Sequence, residues 1–218
     1  MCFLTACVPP TPPVQRSLPS LTDDRIARPV SEVYAGDLGI FEDAERDQKL
    51  QINRVMDILN IRAGASVADI GAGSGWFTVR AARRVGASGQ VYAVEINQQY
   101  LDHIARRAAS ESLGNIRIVL GREDDPLLPR ESVDAVLILK TYHEVSEPVR
   151  LLRNLLPALK RGARLGIIDR DGTGGDHGIK REDVVAEAAR AGYQLIEQHD
   201  FVKPDKEDYF LVFTPTAR

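Results

Sequence analysis

Residues 67–75, VADIGAGSG, join a short apolar run to a glycine-rich loop. Gly71, Gly73 and Gly75 stand at two-residue intervals after an apolar run that contains Asp69. Because glycines lack a Cβ atom, they let a backbone turn sharply and approach a ligand closely. A helix that begins after them presents unpaired N–H groups and the positive end of its dipole. The stretch therefore predicts a strand, a loop that binds a nucleotide-like cofactor, and a helix.

The spacing of the glycines separates two kinds of cofactor loop. A dinucleotide-binding loop has the pattern G-x-G-x-x-G and receives a pyrophosphate at the start of the helix. The loop at residues 71–75 has the pattern G-x-G-x-G, and Asp69 before it would meet a pyrophosphate unfavourably. An acidic residue suits a cationic ligand, so the spacing favours a cationic cofactor over a dinucleotide.

The composition bounds the class of protein. A chain of 218 residues is long enough for one α/β domain with a tail. A formal net charge of -3 gives no broad basic field for nucleic-acid phosphates, so no nucleic-acid partner is expected. The local group Arg80, Arg83 and Arg84 is typical of a solvated helix face. No apolar run is long enough to span a bilayer.

The first 30 residues differ in composition from the rest. They hold six of the twelve prolines, which predicts an extended, disordered tail over residues 1–30. Both cysteines, Cys2 and Cys7, lie there, so the domain has no disulfide framework and no cysteine metal cluster. Residues 4–7, LTAC, resemble the lipobox of a bacterial lipoprotein signal, yet only six residues precede Cys7. Either the match is accidental or the true start lies upstream, and a membrane partner is expected only if Cys7 is lipidated.

Apolar patterning predicts alternating helices and strands over the remaining chain. The predicted strands cover residues 66–70, 91–95, 116–120, 133–139, 164–169, 193–202 and 209–213, and the predicted helices cover 43–60, 75–85, 97–112, 147–159 and 181–191. Repeated β–α units imply a mostly parallel sheet with helices on both faces. The connection at 203–208 is too short for a parallel crossover, so the last strand should be antiparallel.

The expected fold is therefore a Rossmann-like three-layer α/β sandwich with a seven-stranded, mostly parallel sheet and an antiparallel last strand. We divide the chain into the tail, an N-terminal strap and helix over residues 31–60, and a main domain over residues 61–218. In such a sheet, ligands bind beyond the carboxyl ends of the strands where the strand order reverses.

Two acidic residues are candidates for cofactor contacts at that edge. Glu95 ends the second predicted strand, where a carboxylate can accept hydrogen bonds from both hydroxyls of a ribose. Asp69 can receive an ammonium group directly or through water. The structural alternatives are a solvated acid at a strand end for Glu95 and a turn-forming residue for Asp69.

The order of four motifs resembles the class I methyltransferases of the ubiquinone/menaquinone-biosynthesis type. These motifs are VADIGAGSGWFTVRAA, VYAVEIN, ESVDAVLILKTYHEV and LLPALKRGARLGIID, and the resemblance covers residues 43–213. It implies S-adenosylmethionine as cofactor, with contacts at the glycine loop, Asp69 and Glu95. That family often has an acid just after the third strand for the adenine amine; here Arg122 follows Gly121, so Asp124 is the substitute candidate. An ordinary acidic loop is the alternative for Asp124.

Residues 140–144, KTYHE, leave the fourth predicted strand at its carboxyl end. The resemblance implies that this segment lines cofactor and substrate, and we assign Lys140 to the cofactor. His143 is the candidate base or substrate orienter, because imidazole titrates near neutrality, and Tyr142 is a candidate to bond to or stack on the acceptor. His177 can reach the same mouth, or it is a solvent-exposed loop residue. His143, Glu144 and His177 could in principle form a metal site, but no short two-histidine spacing supports one, and none is predicted.

The expected function is transfer of a methyl group from S-adenosylmethionine to O, N or C of a small-molecule acceptor. The alternatives are an NAD(P)-dependent oxidoreductase, disfavoured by the glycine spacing, and a non-catalytic tethered binding protein of the same fold. The supply of cofactor places the protein in the cytoplasm, or at a membrane if the true start lies upstream of Met1. Residues 34–41, YAGDLGIF, are expected to form a substrate lid or a packing strap. The sequence does not predict the oligomeric state.

Overall fold

A computed structural model describes Asp24, Ile26 and residues 28–216. Most of the predicted tail, with Cys2 and Cys7, lies outside the described residues. The strands are β1 (Ser66–Ile70), β2 (Gln90–Glu95), β3 (Ile116–Leu120), β4 (Val133–Leu139), β5 (Leu159–Arg170), β6 (Tyr193–His199) and β7 (Asp208–Pro215). The α-helices are α1 (Arg46–Lys49), α2 (Ile52–Ile58), α3 (Trp76–Val85), α4 (Gln98–Ser110), α5 (Pro148–Leu155) and α6 (Arg181–Arg190). Three 3-10 turns cover Leu38–Phe41, Tyr142–Glu144 and Leu156–Ala158.

The seven strands form one sheet in the order β3-β2-β1-β4-β5-β7-β6. The first five strands of that order pair in parallel. Strand β7 runs antiparallel to both of its neighbours, β5 and β6. The predicted Rossmann-like sheet with an antiparallel last strand is therefore confirmed. The strand order reverses between β1 and β4, which places the expected ligand crevice beyond the ends of these strands.

Alternate residues of the central strands pack on opposite faces of the sheet. Val67 and Val91 lie in a core that includes apolar residues of α2, α3 and α4. Ala68 and Val94 lie in a second core with apolar residues of α5 and α6. Because the sheet is buried on both faces, its parallel strands consist of nearly continuous apolar runs. The three-layer arrangement follows from these two cores, and the division at residue 61 stays a prediction.

Two predicted helices differ from the structure by more than two residues at an end, and the strand predicted over 193–202 ends at His199. The helix expected over residues 43–60 is split into α1 and α2, because Gln51 adopts a left-handed backbone with φ of 47°. The helix expected over residues 147–159 ends at Leu155, and a 3-10 turn that contains Pro157 follows it. Proline lacks the N–H that an α-helix needs at this position. The chain then enters β5 at Leu159, five residues before the predicted start of that strand.

A segment that we call the strap, residues 30–41, crosses the carboxyl ends of the strands. The Ser31 N–H donates to the carbonyl of His143 at 3.1 Å, and the Tyr34 N–H donates to Glu144 Oε1 at 3.3 Å. The strap therefore lies over the segment that leaves β4. The longest described helix, α4, has 13 residues, fewer than the ~20 that a helix needs to cross a bilayer.

Candidate active site

A cavity of about 430 Å³ opens at the carboxyl ends of β1, β2 and β4, beneath the strap. This volume lies within the range of small-molecule sites, which is about 300–1,000 Å³. The charged residues that line it are Glu32, Arg46, Asp69, Glu95, Arg122, Glu123, Lys140 and Glu144, and residues 71–74 of the glycine loop and Trp76 also line it. The cavity lies where the sheet topology predicts a ligand crevice.

The glycine loop is fastened to β2 by backbone hydrogen bonds. The N–H groups of Gly71 and Ala72 donate to the carbonyl of Val94 at 2.9 and 3.1 Å. Gly71 has a φ of +72°, and a Cβ atom there would lie 2.3 Å from Thr141 Cγ2. Gly73 has a φ of +52°, and the atom nearest to an added Cβ is 3.7 Å away, on Phe41. Gly71 is thus required by packing, whereas Gly73 leaves open space on the cavity side.

Glu95 is held in a fixed position at the end of β2. Its Oε1 accepts hydrogen bonds from the N–H groups of Ile96 and Asn97 at 2.7 and 3.1 Å. Its Oε2 accepts one from the N–H of Gly73 at 3.1 Å, which links the acid to the glycine loop. A carboxylate has about four acceptor positions, so Oε2 keeps one position for a ligand hydroxyl. The predicted convergence of Glu95 and the glycine loop is present in the structure.

Asp69 lines the cavity and is only 2% exposed. Thr78 Oγ1 donates to its Oδ2 at 2.6 Å. Burial, with a smaller contribution from the negative charge of Glu95, raises the pKa of Asp69 to about 7. Thr78 and the positive charge of Arg46 act in the opposite direction. A buried carboxyl group that titrates near neutrality is typical of a functional site.

Two further residues of the cavity, Arg46 and Trp76, were not among the predicted site residues. The guanidinium carbon of Arg46 lies 4.4 Å from the centroid of the Trp76 ring, and that of Arg80 lies 4.0 Å from it. Trp76 Nε1 is buried and finds no acceptor among the described residues. Buried indole N–H groups usually have a partner, and Trp76 lines the cavity, so we treat Nε1 as a candidate donor to a ligand. Trp76 directly follows Gly75, a position that the motif itself could have indicated.

The other end of the cavity is formed by the segment after β4. Glu144 lines the wall, and burial raises the pKa of its carboxyl group. His143 lies directly behind it, with Nε2 at 3.7 Å from Glu144 Oε1. His143 Nδ1 lies 2.8 Å from Oδ1 of the buried Asp169 at the end of β5. The structure therefore forms a Glu144–His143–Asp169 series that begins at the cavity and ends in the core.

Three of the predicted site residues are placed differently from the expectation. Tyr142 is fully buried in the second core, does not line the cavity, and has a pKa raised by burial. Asp124 also lies outside the cavity lining, 3.5 Å from the guanidinium of Arg150, whereas its neighbour Glu123 lines the cavity. Lys140 lines the cavity, but its ammonium group pairs with Asp208 at 2.5 Å. The core position of Tyr142 follows from the 3-10 turn, which points this ring into the sheet layer.

Comparisons with known proteins agree with this architecture. Residues 67–162 match a family model described as a methyltransferase domain. A ubiquinone/menaquinone biosynthesis C-methyltransferase of Marinomonas sp. (strain MWYL1) is 30% identical over 110 residues, 50% of this chain and 44% of that protein. A nocamycin O-methyltransferase of Saccharothrix syringae is 35% identical over 83 residues, 38% of this chain and 30% of that protein. This chain thus matches less than half the length of these curated relatives.

A solved structure shares the fold over most of both chains. It is a SAM dependent methyltransferase from Aquifex aeolicus, with a TM-score of 0.74, 22% identity, and coverage of 82% of this chain and 98% of that one. The segment that matches the family model begins in β1 and ends in β5, so it contains the glycine loop, Glu95 and the segment after β4. On the sheet order, the glycine loop and these matches, residues 67–162 are similar to a methyltransferase domain, and the described chain has the fold of an S-adenosylmethionine-dependent methyltransferase.

Proposed function

We propose that this protein transfers a methyl group from S-adenosylmethionine to a small-molecule acceptor bound beneath the strap. The observation that supports this most directly is that three features line the same cavity. They are the open space at Gly73, the fixed carboxylate of Glu95 and the buried acid Asp69. The size of the cavity and the relatives named for C- and O-methylation support a small acceptor.

The ammonium and carboxylate groups of the methionine part of the cofactor have complementary side chains in the cavity. Asp69 offers a carboxylate to the ammonium group of the cofactor. Arg46 and the unpartnered Nε1 of Trp76 offer donors to its carboxylate. At the nucleoside end, Glu95 Oε2 accepts one ribose hydroxyl, and the open space at Gly73 lets the cofactor approach the backbone. The predicted contact at Gly75 is corrected: Gly75 does not line the cavity, and an added Cβ there would lie 3.0 Å from Ile104. We place the adenine amine near Glu123 rather than near Asp124, because only Glu123 of this pair lines the cavity.

The chemistry needs alignment more than acid–base assistance. S-adenosylmethionine supplies an electrophilic methyl group on a sulfonium whose leaving group is neutral. The protein holds the acceptor at a near-attack distance, and the wall near Glu144 is the position that we assign to it. Where the acceptor must lose a proton, Glu144 is the first acceptor of that proton and His143 lies behind it, held by Asp169. His143 is thereby retained as a catalytic candidate that acts next to the cavity wall, and Tyr142 is assigned to packing.

Calorimetry with S-adenosylhomocysteine tests the cofactor assignment. Wild type should bind one equivalent, and Gly73→Arg should abolish binding, because its side chain fills the open space beside Phe41. Gly162→Arg is the matched control: Gly162 also has a positive φ, of +80°, but no atom lies within 4 Å of an added Cβ, and it is remote from the cavity lining. Absence of binding by wild type would contradict the proposal, and saturable binding of NADH would favour the oxidoreductase.

We infer a cytoplasmic location, because S-adenosylmethionine is supplied there. The alternative is attachment to a membrane through lipidated Cys7, which lies outside the described residues. Intact-mass analysis of the native protein distinguishes the two locations. A mass that includes a lipid on Cys7 would contradict the cytoplasmic assignment.

A further inference from the structure

Three side chains from two loops meet at the rim of the cavity. His143 and Glu144 follow β4, and His177 follows β5; one ligand atom from each of the three lies within 4.8 Å of the other two. The rings of His143 and His177 are nearly perpendicular, at 88°, with centroids 5.8 Å apart. The two histidines are 34 residues apart in the chain, so no short sequence motif indicates the cluster. The parallel pairing of β4 with β5 brings their loops together.

The His143 ring is oriented by a buried carboxylate. Asp169 is fully buried, and its oxygens accept hydrogen bonds from the N–H groups of His143 and Arg170 at 3.1 and 2.8 Å. His143 Nδ1 lies 2.8 Å from Oδ1 of the same carboxylate. Because the Asp169 carboxylate accepts a hydrogen bond from His143 Nδ1, the imidazole proton lies on Nδ1. The lone pair of His143 Nε2 is then directed to Glu144. Metal-binding histidines commonly have such a carboxylate behind them, since it fixes the tautomer and the ring orientation.

The loop that carries His177 is fastened at several points. The Gly174 N–H donates to the Gly178 carbonyl at 2.7 Å. Ser31 of the strap donates from its hydroxyl to the Gly174 carbonyl at 2.6 Å. His177 itself has a left-handed backbone with φ of 55° and an exposed side chain. The third side chain is therefore held near the other two, while solvent has access to it.

We propose that His143 Nε2, a carboxylate oxygen of Glu144 and the imidazole of His177 bind one divalent first-row transition-metal ion, of which Zn²⁺ is the type. Two imidazoles and one carboxylate suit such ions and leave coordination positions open. Magnesium and calcium prefer all-oxygen sites. Ligand bonds of about 2.0–2.2 Å require ligand atoms about 3.4 Å apart in a tetrahedral site. The present separations, 3.7 Å for His143 and Glu144 and up to 4.8 Å in the cluster, need only a small closure of His177.

The position of the cluster also indicates a class of acceptor. Glu144 belongs to the cavity wall and His177 to the solvent side, so a metal ion between them faces the acceptor end of the cavity. A metal ion in this position polarises an oxygen donor and eases loss of its proton, so with metal bound it takes the place of Glu144 and His143, which are then its ligands. This favours acceptors with a hydroxyl group next to the methylated atom. This substrate class rests on the proposed function, whereas metal binding itself does not.

Titration of the full chain with Zn²⁺ by calorimetry, and with Co²⁺ by visible absorption, tests the site. The protein is prepared without a histidine tag, treated with chelator, and alkylated at Cys2 and Cys7 so that thiolates cannot compete. We expect one equivalent to bind, His177→Ala to weaken binding at least tenfold, and Asp169→Asn to weaken it about 10–100-fold. His199→Ala is the matched control, because His199 also lies beside a glutamate, Glu197 at 3.2 Å, outside the cluster. It should leave the affinity unchanged.

The outcomes separate this proposal from the proposed function. No stoichiometric binding of Zn²⁺, or binding that His177→Ala does not weaken, would overturn the metal site. S-adenosylhomocysteine is titrated into the same samples. Cofactor binding without metal binding contradicts the metal site alone. Metal binding without cofactor binding contradicts the proposed function alone. Thermal unfolding of each variant identifies loss of binding that is due to misfolding, and the exposed His177 is the position where misfolding is least expected.

Discussion

At the scale of single residues, Asp69 lies in a buried environment that disfavours the ionised form of its carboxyl group. Burial raises its pKa from 3.8 to about 7. At about 1.4 kcal/mol per pKa unit, the ionised carboxylate at neutral pH costs the fold about 4 kcal/mol. The contribution of Asp69 to the free energy of unfolding is thus greatest below the pKa of its carboxyl group in the unfolded chain, 3.8. This contribution is lost as the pH rises through the pKa in the folded protein, about 7. A cationic ligand group beside Asp69 offsets this cost by favouring the ionised form.

Cofactor affinity should therefore depend on pH through Asp69. Below pH 7 the free protein must release a proton from Asp69 to receive the ammonium group, so the affinity for S-adenosylhomocysteine should rise about tenfold per pH unit between pH 5 and pH 7 and level off above it. Calorimetry across this range measures the slope. Asp69→Asn should bind more weakly and show no slope. A wild-type affinity that is constant from pH 5 to pH 7 would contradict the assignment.

The cavity residues that the sequence predicts are placed by local chain geometry, whereas some of those it does not predict are placed by tertiary packing. Glu95 and the glycines act at strand ends and tight turns, where chain position alone determines what faces the crevice. Trp76 directly follows Gly75, so the motif could have indicated it. Arg46 reaches the cavity through the packing of one helix on another, which no spacing in the sequence specifies. Tyr142 was misplaced for the same reason: the direction of a side chain in a 3-10 turn depends on the backbone, and the pattern KTYHE does not define it.

At the scale of elements, the strap joins both ends of the cavity. Tyr34 and Phe41 form an edge-to-face pair with centroids 5.3 Å apart, and both line the cavity. Tyr100, on α4, donates its hydroxyl to the Gly36 carbonyl at 3.0 Å. The lid and the packing strap stay alternative predictions for this segment, since its aromatic residues both contact each other and line the cavity.

Removal of the Tyr100 hydroxyl should loosen the strap. A hydrogen bond of this kind contributes about 1 kcal/mol, so Tyr100→Phe should release S-adenosylhomocysteine about fivefold faster. Stopped-flow displacement measures this rate. Tyr193→Phe is the matched control, because its hydroxyl donates to the Leu152 carbonyl at 2.9 Å in the second core. It should lower stability and leave the release rate unchanged. An unchanged rate in Tyr100→Phe would show that the strap does not close the site.

The predicted and observed bounds of the strands and helices show where local sequence patterns are enough to predict an element. Strands β1, β3 and β4 have the predicted bounds, because a buried parallel strand is a continuous apolar run between turn residues. The break at Gln51 and the early start of β5 were not predicted. Both depend on tertiary packing: apolar residues continue at helical spacing through Gln51, and the first residues of β5 pair with β4 across a register shift.

At the scale of the whole molecule, a buried ion pair joins the segment before the strap to α6. The Arg28 guanidinium pairs with Glu187 on α6 at 2.8 Å, and both side chains are only 6% exposed. The same guanidinium lies 5.8 Å from the centroid of the buried Tyr142 ring. This buried pair joins the segment before the strap to a helix 159 residues later, and it thereby fixes the start of the strap relative to the segment after β4.

Loss of one partner should destabilise the fold more than loss of both. Arg28→Met leaves the Glu187 carboxylate buried without its cation, and we expect the free energy of unfolding to fall by about 3–5 kcal/mol. The double variant Arg28→Met/Glu187→Met should recover most of this loss, since two apolar side chains then fill the same space. Urea denaturation measures both. Arg83→Met removes a largely exposed partner of Glu111 and should change stability by less than about 1 kcal/mol. If Arg28→Met costs no more than Arg83→Met, the buried pair does not anchor the strap.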